Sequence, residues 1–229
     1  DVCKGQPVPA NVLRVDGWLF ESDGNGMGTI SRGNTTLAVR QIPHGNEGYS
    51  NKLTLTSYGE TRIEDEILDL SLPITDASGN EYMINDTDGR IFANNQNLKE
   101  VYLPDGMSQL GQAAFENCTG LTTVVFGEGG MDGMTMESNP LYWSLFPGCT
   151  NLQTVDLSRT DLRKVGPSMF KNLMNLTTVE LPDTVTAVED DAFLFCESLK
   201  KVDISSVQSI GYRSFMGCDN LESISPTGE

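Results

Sequence analysis

The most regular feature of the chain is a hydrophobic pattern that recurs from residue 67 towards the C terminus. Six copies contain a phenylalanine. Three residues after it comes a cysteine in four copies, an asparagine in one and a leucine in one, and three residues further on comes a leucine. The leucine opens a segment of the form L-x-x-V-x-L, which alternates with the period of a β-strand that has one buried face. The phenylalanines are Phe92, Phe115, Phe146, Phe170, Phe193 and Phe215. The pattern predicts a series of short strands, each preceded by a turn that carries the phenylalanine.

The copies follow one another closely enough to stack. They start near residues 67, 98, 121, 152, 176, 199 and 221, so most are 22–24 residues long and two have 31. Pro73, Pro104 and Pro182 end three of the strands, because proline has no N–H for the ladder of hydrogen bonds. A single copy cannot bury its apolar side, but stacked copies can, with strands about 4.8 Å apart. We therefore expect residues 52–229 to form one elongated unit with a continuous core.

Residues 1–51 lack this pattern. The segments 12–20 and 35–42 are rich in β-favouring residues and are separated by a stretch rich in Gly, Asn and Ser at 23–34. This arrangement predicts a β-hairpin or short strands. Because a stack of repeats exposes its core and a strand edge at each end, we expect residues 1–51 to be a β-rich cap. A small separate domain is the alternative.

The consensus LxxVxLPxxVxxIGxxAFxxCxxL resembles the BspA-like class of leucine-rich repeats, which is common in surface proteins of Bacteroides-type bacteria. Residues 176–198 are a close copy, LTTVELPDTVTAVEDDAFLFCES. Most of the repeats also have the usual leucine-rich-repeat length of about 20–29 residues. The resemblance implies a right-handed solenoid of stacked short parallel β-strands with short helical turns. It also implies a cell-surface location and, in a few members, adhesion or binding of host proteins.

Acidic residues outnumber basic ones by 32 to 15, which gives a formal net charge of −17. Such a surface repels phosphate backbones and anionic lipids, so we expect no nucleic-acid partner. No apolar run reaches the roughly 18 residues of a membrane-spanning helix, so we expect no membrane insertion. The charge would suit a basic partner or loosely bound cations. The alternative is that it only keeps a secreted protein soluble.

The sequence shows no convincing catalytic, cofactor-binding or metal-binding motif. His44 is the only histidine and stands between Pro43 and Gly45, as in a loop. The segment 85–89 (NDTDG) is similar to part of a calcium loop, but the first ligand position falls on Ile84 and the twelfth on Asn95. We therefore predict a protein that is not an enzyme and has no cofactor.

The cysteines are interpreted from their place in the repeat. None of the five is part of a CxxC motif, and Cys118, Cys149, Cys196 and Cys218 share one repeat position. Adjacent turns can bring such positions within disulfide distance, so a Cys196–Cys218 bond stays open. Because Leu173 occupies the same position, we favour a buried slot with free thiols. Cys3 is isolated, and the sequence does not indicate whether it is free.

The extra length of the two long repeats falls between the strand and the phenylalanine turn, at residues 73–91 and 127–145. Insertions at one repeat position emerge on one side of a stack. Both insertions carry aromatic or methionine side chains, which are enriched at recognition surfaces. The candidate partner-binding patch consists of Tyr82, Met83, Met131, Met134, Met136, Tyr142 and Trp143. The alternative is that these side chains fold back and seal the edge of the core.

Together these features predict a cell-surface or secreted module that binds a protein, such as a host extracellular or surface protein, or a glycan. The alternative is a structural spacer or scaffold with no ligand of its own. Because the chain starts at Asp1 without an apolar leader, we expect that any targeting segment has been removed. A lipid anchor upstream of residue 1 is one way to hold such an exported protein at the surface. The sequence does not indicate the oligomeric state.

Overall fold

A computed structural model describes residues 17–43, 48–130 and 144–225. The regular elements of these ranges are β-strands, and turns join them. In chain order the strands are β1 (Trp18–Ser22), β2 (Met27–Arg32), β3 (Thr35–Pro43), β4 (Tyr49–Leu55), β5 (Ile67–Asp69), β6 (Ile74–Thr75), β7 (Glu81–Thr87), β8 (Glu100–Tyr102), β9 (Thr123–Val125), β10 (Thr154–Asp156), β11 (Lys164–Val165), β12 (Thr178–Glu180), β13 (Ala187–Val188), β14 (Lys201–Asp203), β15 (Ser209–Ile210) and β16 (Ser223–Ser225).

The N-terminal part of the chain forms a six-stranded sheet that closes on itself in the order β1-β2-β3-β4-β7-β6. β1, β2 and β3 are joined as antiparallel hairpins, whereas β4 pairs with β7 and β1 with β6 in parallel. Because side chains alternate along a strand, one set fills the interior. This set includes Trp18, Phe20, Ile30, Leu37 and Leu53, each at most 2 % exposed.

The repeats build a seven-stranded parallel sheet in the order β5-β8-β9-β10-β12-β14-β16. The central residues Leu68, Val101, Val124, Val155 and Val179 are register partners from strand to strand and are buried. The residues that flank them point out of the sheet, as the period of two requires. The strands predicted from the L-x-x-V-x-L segments that start at residues 98 to 221 are therefore observed. The first copy was expected to start near residue 67, which would place Leu70 opposite Val101, but the residue opposite Val101 is Leu68. A second parallel sheet, β11-β13-β15, lies in the later repeats.

In the seven-stranded sheet, the turn before each strand after β5 adds one phenylalanine to a column of stacked rings. Neighbouring ring centroids lie 5.0 to 6.2 Å apart, and the rings are tilted by no more than 21° relative to each other. The first five rings of the column are buried. This column and the column of central strand residues form one continuous core.

The short helical turns that the resemblance implies are absent from the described residues, where the phenylalanine segments are hydrogen-bonded turns. Around Phe193, the residues two positions before and after it, Asp191 and Phe195, have φ of 57° and 60°. The same two positions have positive φ around Phe92, Phe115, Phe170 and Phe215. Left-handed residues interrupt the run of right-handed dihedrals that a helix needs. These turns therefore cannot extend into helices.

The insertion at residues 73–91 is not a loop on one side of the stack. It forms β6 and β7, which complete the closed sheet. The chain thus leaves the closed sheet after β4, contributes β5 to the repeat sheet, and returns. The boundary expected between residues 51 and 52 falls inside β4, so neither unit is one continuous range of sequence.

Hydrogen bonds join the closed sheet to the first repeats. The indole Nε1 of Trp18 donates to the carbonyl oxygen of Asp69 at 2.7 Å. At the end of β7, Asp86 forms a parallel bridge with Gln109 of the next repeat. The backbone N–H of Ser108 donates to the carbonyl oxygen of Asn85 at 2.7 Å. β7 therefore acts both as a strand of the closed sheet and as the first level of the stack.

Candidate functional site

Two residues of the candidate patch, Tyr82 and Met83, lie on β7 of the closed sheet. The Tyr82 ring packs against Phe20 with centroids 4.4 Å apart, and its hydroxyl donates to Oδ2 of Asp76 at 3.1 Å. Burial and this hydrogen bond raise the pKa of Tyr82. Met83 is 44 % exposed. Tyr82 therefore serves the closed sheet, whereas Met83 is accessible to a partner.

The remaining patch residues, Met131, Met134, Met136, Tyr142 and Trp143, lie outside the described residues. His44 and Cys3 lie outside them as well. Whether the two insertions meet in one patch therefore stays a prediction.

The cysteines of the repeat are free, as favoured from the sequence. Each thiol donates to the carbonyl oxygen of the phenylalanine in the preceding turn, with Sγ–O distances of 2.9 to 3.1 Å. Burial raises the pKa of Cys118 to about 11 and the pKa of Cys149 and Cys196 to about 12. Because the thiolate is the reactive form, these side chains are structural donors rather than nucleophiles.

The calcium-like segment is part of the core structure of the closed sheet. Asp86 pairs with Thr54 across β7 and β4, and the Asp88 carboxylate accepts hydrogen bonds from the hydroxyl of Thr56 and the N–H of Ser57. No cluster of His, Cys, Asp or Glu side chains suited to a metal ion occurs in residues 17–43, 48–130 and 144–225.

The outward face of the seven-stranded sheet is an accessible surface, which the sequence interpretation did not single out. From β5 to β14 its side chains are half-buried or exposed, so no described element covers them. One column of this outward face runs Asp69, Tyr102, Val125, Asp156, Glu180 and Asp203. The signal was present in the sequence, because Tyr102, Asp156 and Glu180 occupy the position between Val and Leu in the L-x-x-V-x-L segments.

The outward face combines an apolar centre with carboxylates on both sides. The Tyr102 hydroxyl donates to Oε2 of Glu100 at 2.9 Å, and this hydrogen bond raises the pKa of Tyr102. Asp156 and Glu180 are register partners on adjacent strands. Hydrogen bonds from Ser205 lower the pKa of Asp203, so this carboxylate stays charged at neutral pH. The face therefore presents negative charge beside an accessible aromatic ring.

Among the described residues, no helix has the length and apolar character that a membrane crossing requires.

Comparison with known proteins agrees with this architecture. The sequence model of a family described as "BspA type Leucine rich repeat region" matches residues 50–132 and 139–228 in six copies. None of the curated proteins matches the chain significantly.

Solved structures of bacterial proteins are similar in fold. A leucine-rich repeat protein from Eubacterium ventriosum has a TM-score of 0.54 and 20% identity, with 91% of this chain and 54% of that chain covered. The leucine-rich repeat protein of T. pallidum has a TM-score of 0.50 and 17% identity, with 81% of this chain and 88% of that chain covered.

A leucine-rich cell surface protein from Faecalibacterium prausnitzii reaches a TM-score of 0.49 and 24% identity over 86% of this chain and 54% of that one. The present chain thus spans about half the length of two of these structures.

Proposed function

The chain belongs to the family of BspA-type leucine-rich repeats, and from that premise we propose that it is a non-enzymatic, cell-surface or secreted module that binds a protein partner. The observation that carries the proposal is the open outward face of the seven-stranded sheet. A face built from in-register strands holds its side chains at fixed spacing, which lowers the entropy lost on binding.

The charge of this face points to the chemistry of the partner. Asp156, Glu180 and Asp203 follow one another on adjacent strands, and Val125 separates them from the aromatic ring of Tyr102. A partner surface with Lys or Arg around an apolar side chain would complement it, and opposite charges accelerate encounter. Aromatic side chains are also frequent anchors at interfaces. We therefore propose a basic protein surface as the partner, in preference to a glycan.

The handedness of the repeat stack and the covering of its first end are part of the proposal, because both would make the outward sheet face rigid. We propose that the stacked repeats form a right-handed solenoid and that the closed sheet, which contains most of residues 17–51, caps the β5 side of its first repeat. This role is supported by the bond from Trp18 to Asp69 and by the Thr35 hydroxyl, which donates to Oδ2 of Asp65 at 2.6 Å. A capped end keeps the core and the strand edge away from water.

The insertion patch predicted from the sequence remains a second proposed contact surface of the same module, with Met83 at its described end. A spacer without a ligand of its own remains the alternative function. The two functions differ in one respect, because a spacer has no residue on the outward sheet face whose replacement alters binding.

The proposal is tested by measuring binding to host extracellular proteins and to a glycan array at low and at high salt. We expect protein binding that weakens at high salt, because exposed charges are screened. Glu180→Lys and Tyr102→Ala should each weaken it by about tenfold. Glu197→Lys, which makes the same charge change on the turn side of the stack, is the matched control and should leave binding unchanged. If neither sheet variant alters binding, the outward sheet face is not the interface.

A further inference from the structure

The phenylalanine turns are joined by a ladder of backbone hydrogen bonds that run in one direction. The N–H groups of Phe92 and Asn94 donate to the carbonyl oxygens of Ala114 and Glu116 in the next turn, at 2.9 and 2.7 Å. The same donation recurs from Asn117 to Pro147, Phe170 to Ala192, Asn172 to Leu194, Phe193 to Ser214 and Phe195 to Met216. Each turn therefore directs N–H groups towards its C-terminal neighbour and carbonyl groups towards its N-terminal neighbour.

The first turn of the column also has carbonyl groups, but no phenylalanine turn precedes it to donate hydrogen bonds to them. Ile91 and Ala93 occupy the positions of the acceptors Ala114 and Glu116, and no group in the described part of the chain donates to their carbonyl oxygens. Backbone carbonyl groups need a hydrogen-bond partner, which is supplied by protein, water or a ligand. The polarity of the ladder indicates which group would continue it, namely a backbone that donates N–H groups.

A groove of about 440 Å³ lies along this first turn. One wall is the turn itself, with Ile91 and Ala93, and the other is the segment 57–63, with Ser57, Gly59 and Thr61. The volume falls in the range of about 300–1,000 Å³ that is typical of binding pockets. The groove therefore has room for a short stretch of peptide.

The second wall is held in place by contacts that leave the carbonyl groups of the first wall unused. The Asn95 Nδ2 donates to the carbonyl oxygen of Ile63 at 3.3 Å, in the way that the cysteines donate in later turns. Arg62 and Thr36 exchange two backbone hydrogen bonds. The Thr61 hydroxyl accepts the N–H of Ala38 at 3.1 Å. The segment 57–63 is thus fixed to β3 and to Asn95, and the groove is preformed.

We propose that this groove binds a peptide segment of a partner protein, whose backbone N–H groups donate to the carbonyl oxygens of Ile91 and Ala93. In the later steps of the ladder, N–H groups two residues apart, such as those of Phe92 and Asn94, donate to carbonyl groups two residues apart, so a peptide would donate from alternate positions. Main-chain pairing of this kind supplies affinity with little dependence on side chains. The groove lies apart from the outward sheet face, so the inference does not depend on the function of that face.

The test uses an immobilised library of short random-sequence peptides and the full chain. For peptides that bind, methylation of one backbone nitrogen at a time removes one donor without changing a side chain. We expect methylation at two alternate positions to weaken binding by about tenfold each, and methylation of the residue between them to have little effect. If no peptide binds, or if methylation has the same effect at every position, the proposal is wrong.

Filling the groove places the peptide at this site. Ser57→Trp and Ala93→Trp introduce a large side chain from opposite walls and should each abolish binding. Ser158→Trp, at an exposed position after β10, is the matched control and should bind as the unmodified chain does. Circular dichroism and denaturation of each variant separate a blocked groove from an unfolded one. Peptide binding that survives both groove variants in the folded protein would overturn the assignment.

A second copy of the chain is the competing occupant, because the last turn of a stack presents N–H groups. Analytical ultracentrifugation over a range of concentrations distinguishes it from a peptide. We expect no association of the chain with itself that Ser57→Trp removes. Association of that kind would overturn the proposal of a partner peptide.

Discussion

The step between the turns of Phe146 and Phe170 differs from the other steps of the column. The two rings are 6.2 Å apart, whereas the other neighbouring rings are 5.0 to 5.5 Å apart. Each other step has at least two backbone hydrogen bonds between the phenylalanine turns, but none joins these two turns among the described residues. On the opposite side of the stack, β10 and β12 pair in register over all three residues.

The wide step coincides with a change of side chain. Leu173 stands where Cys118, Cys149, Cys196 and Cys218 stand in other repeats. Each of these cysteines donates its thiol to the phenylalanine carbonyl of the turn before, but leucine has no donor and is larger. The comparison indicates that the sheet continues independently of this position, whereas the turn side depends on a small donor to stay closed.

Removal of a ring should have the largest effect, and the effect should depend on the step. Phe193 has rings 5.0 and 5.1 Å away on either side, so Phe193→Ala should lower the free energy of unfolding by about 3–5 kcal/mol through the cavity it leaves. Phe146→Ala should cost less, because Phe146 lies at the wide step. Urea denaturation of both variants measures the difference. An equal or larger loss at Phe146 would show that the wide step is packed as tightly as the others.

Exchanging leucine and cysteine at the equivalent positions 173 and 196 tests whether the thiol donor keeps neighbouring phenylalanine turns together. Cys196→Leu adds volume and removes the thiol donor, so it should cost about 1–3 kcal/mol. Leu173→Cys should cost less than Leu173→Ala, for which about 2–5 kcal/mol is expected, because the new thiol can donate to the carbonyl of Phe146. Both are read from denaturant midpoints. The donor role is contradicted if cysteine and alanine at position 173 are equally destabilising.

The buried thiols should make the protein less stable in alkaline solution. Burial raises the pKa of Cys149 and Cys196 to about 12 in the folded chain, whereas an unfolded cysteine has a pKa of about 8.5. Above that lower pKa the unfolded chain loses protons that the folded chain keeps, so stability falls as pH rises from about 8.5 towards 12. We expect a loss of about 1 kcal/mol for each thiol near pH 9.5.

Variants at the same slot test this origin of the alkaline effect. Cys196→Ala should reduce the fall in stability between pH 8 and 9.5, and Leu173→Cys should increase it. Thiol titration of the native protein should find the buried cysteines unreactive at neutral pH and reactive after unfolding. A pH dependence that is the same in all three proteins would mean that other groups cause it.

The stack of repeats was predictable because its residues obey a local rule many times over. The spacing of Phe115 and Leu121, or of Phe193 and Leu199, marks the turn and the strand without knowledge of the rest of the chain. The valines of the L-x-x-V-x-L segments were placed in the core by the period of two alone, and Val124 and Val155 are buried as expected. A repeated pattern amplifies a weak local signal, so strand existence and register followed from it in the copies that start at residues 98 to 221. In the less regular first copy the register is shifted by two residues from the expected one.

The closed sheet was harder to predict from the sequence, because its strands do not repeat a pattern and some of the strands that pair are far apart in the chain. Residues 81–87 contain polar residues such as Asn85 and Asp86, and they resembled an inserted loop. β7 is nevertheless a strand, because β4 and β6 lie on both sides of it and supply the hydrogen bonds that a short polar segment cannot supply for itself.

The outward sheet face and the groove show the same contrast between what the sequence predicts and what it does not. The pattern already placed Tyr102 and Glu180 on the outward face of a sheet, since they alternate with buried residues. The groove at Ile91 and Ala93 could not be anticipated, because its walls are residues 57–63 and 91–95, which only the closed sheet brings together. Periodicity along one segment defines what that segment buries, whereas a site between distant segments depends on how strands pair across the fold.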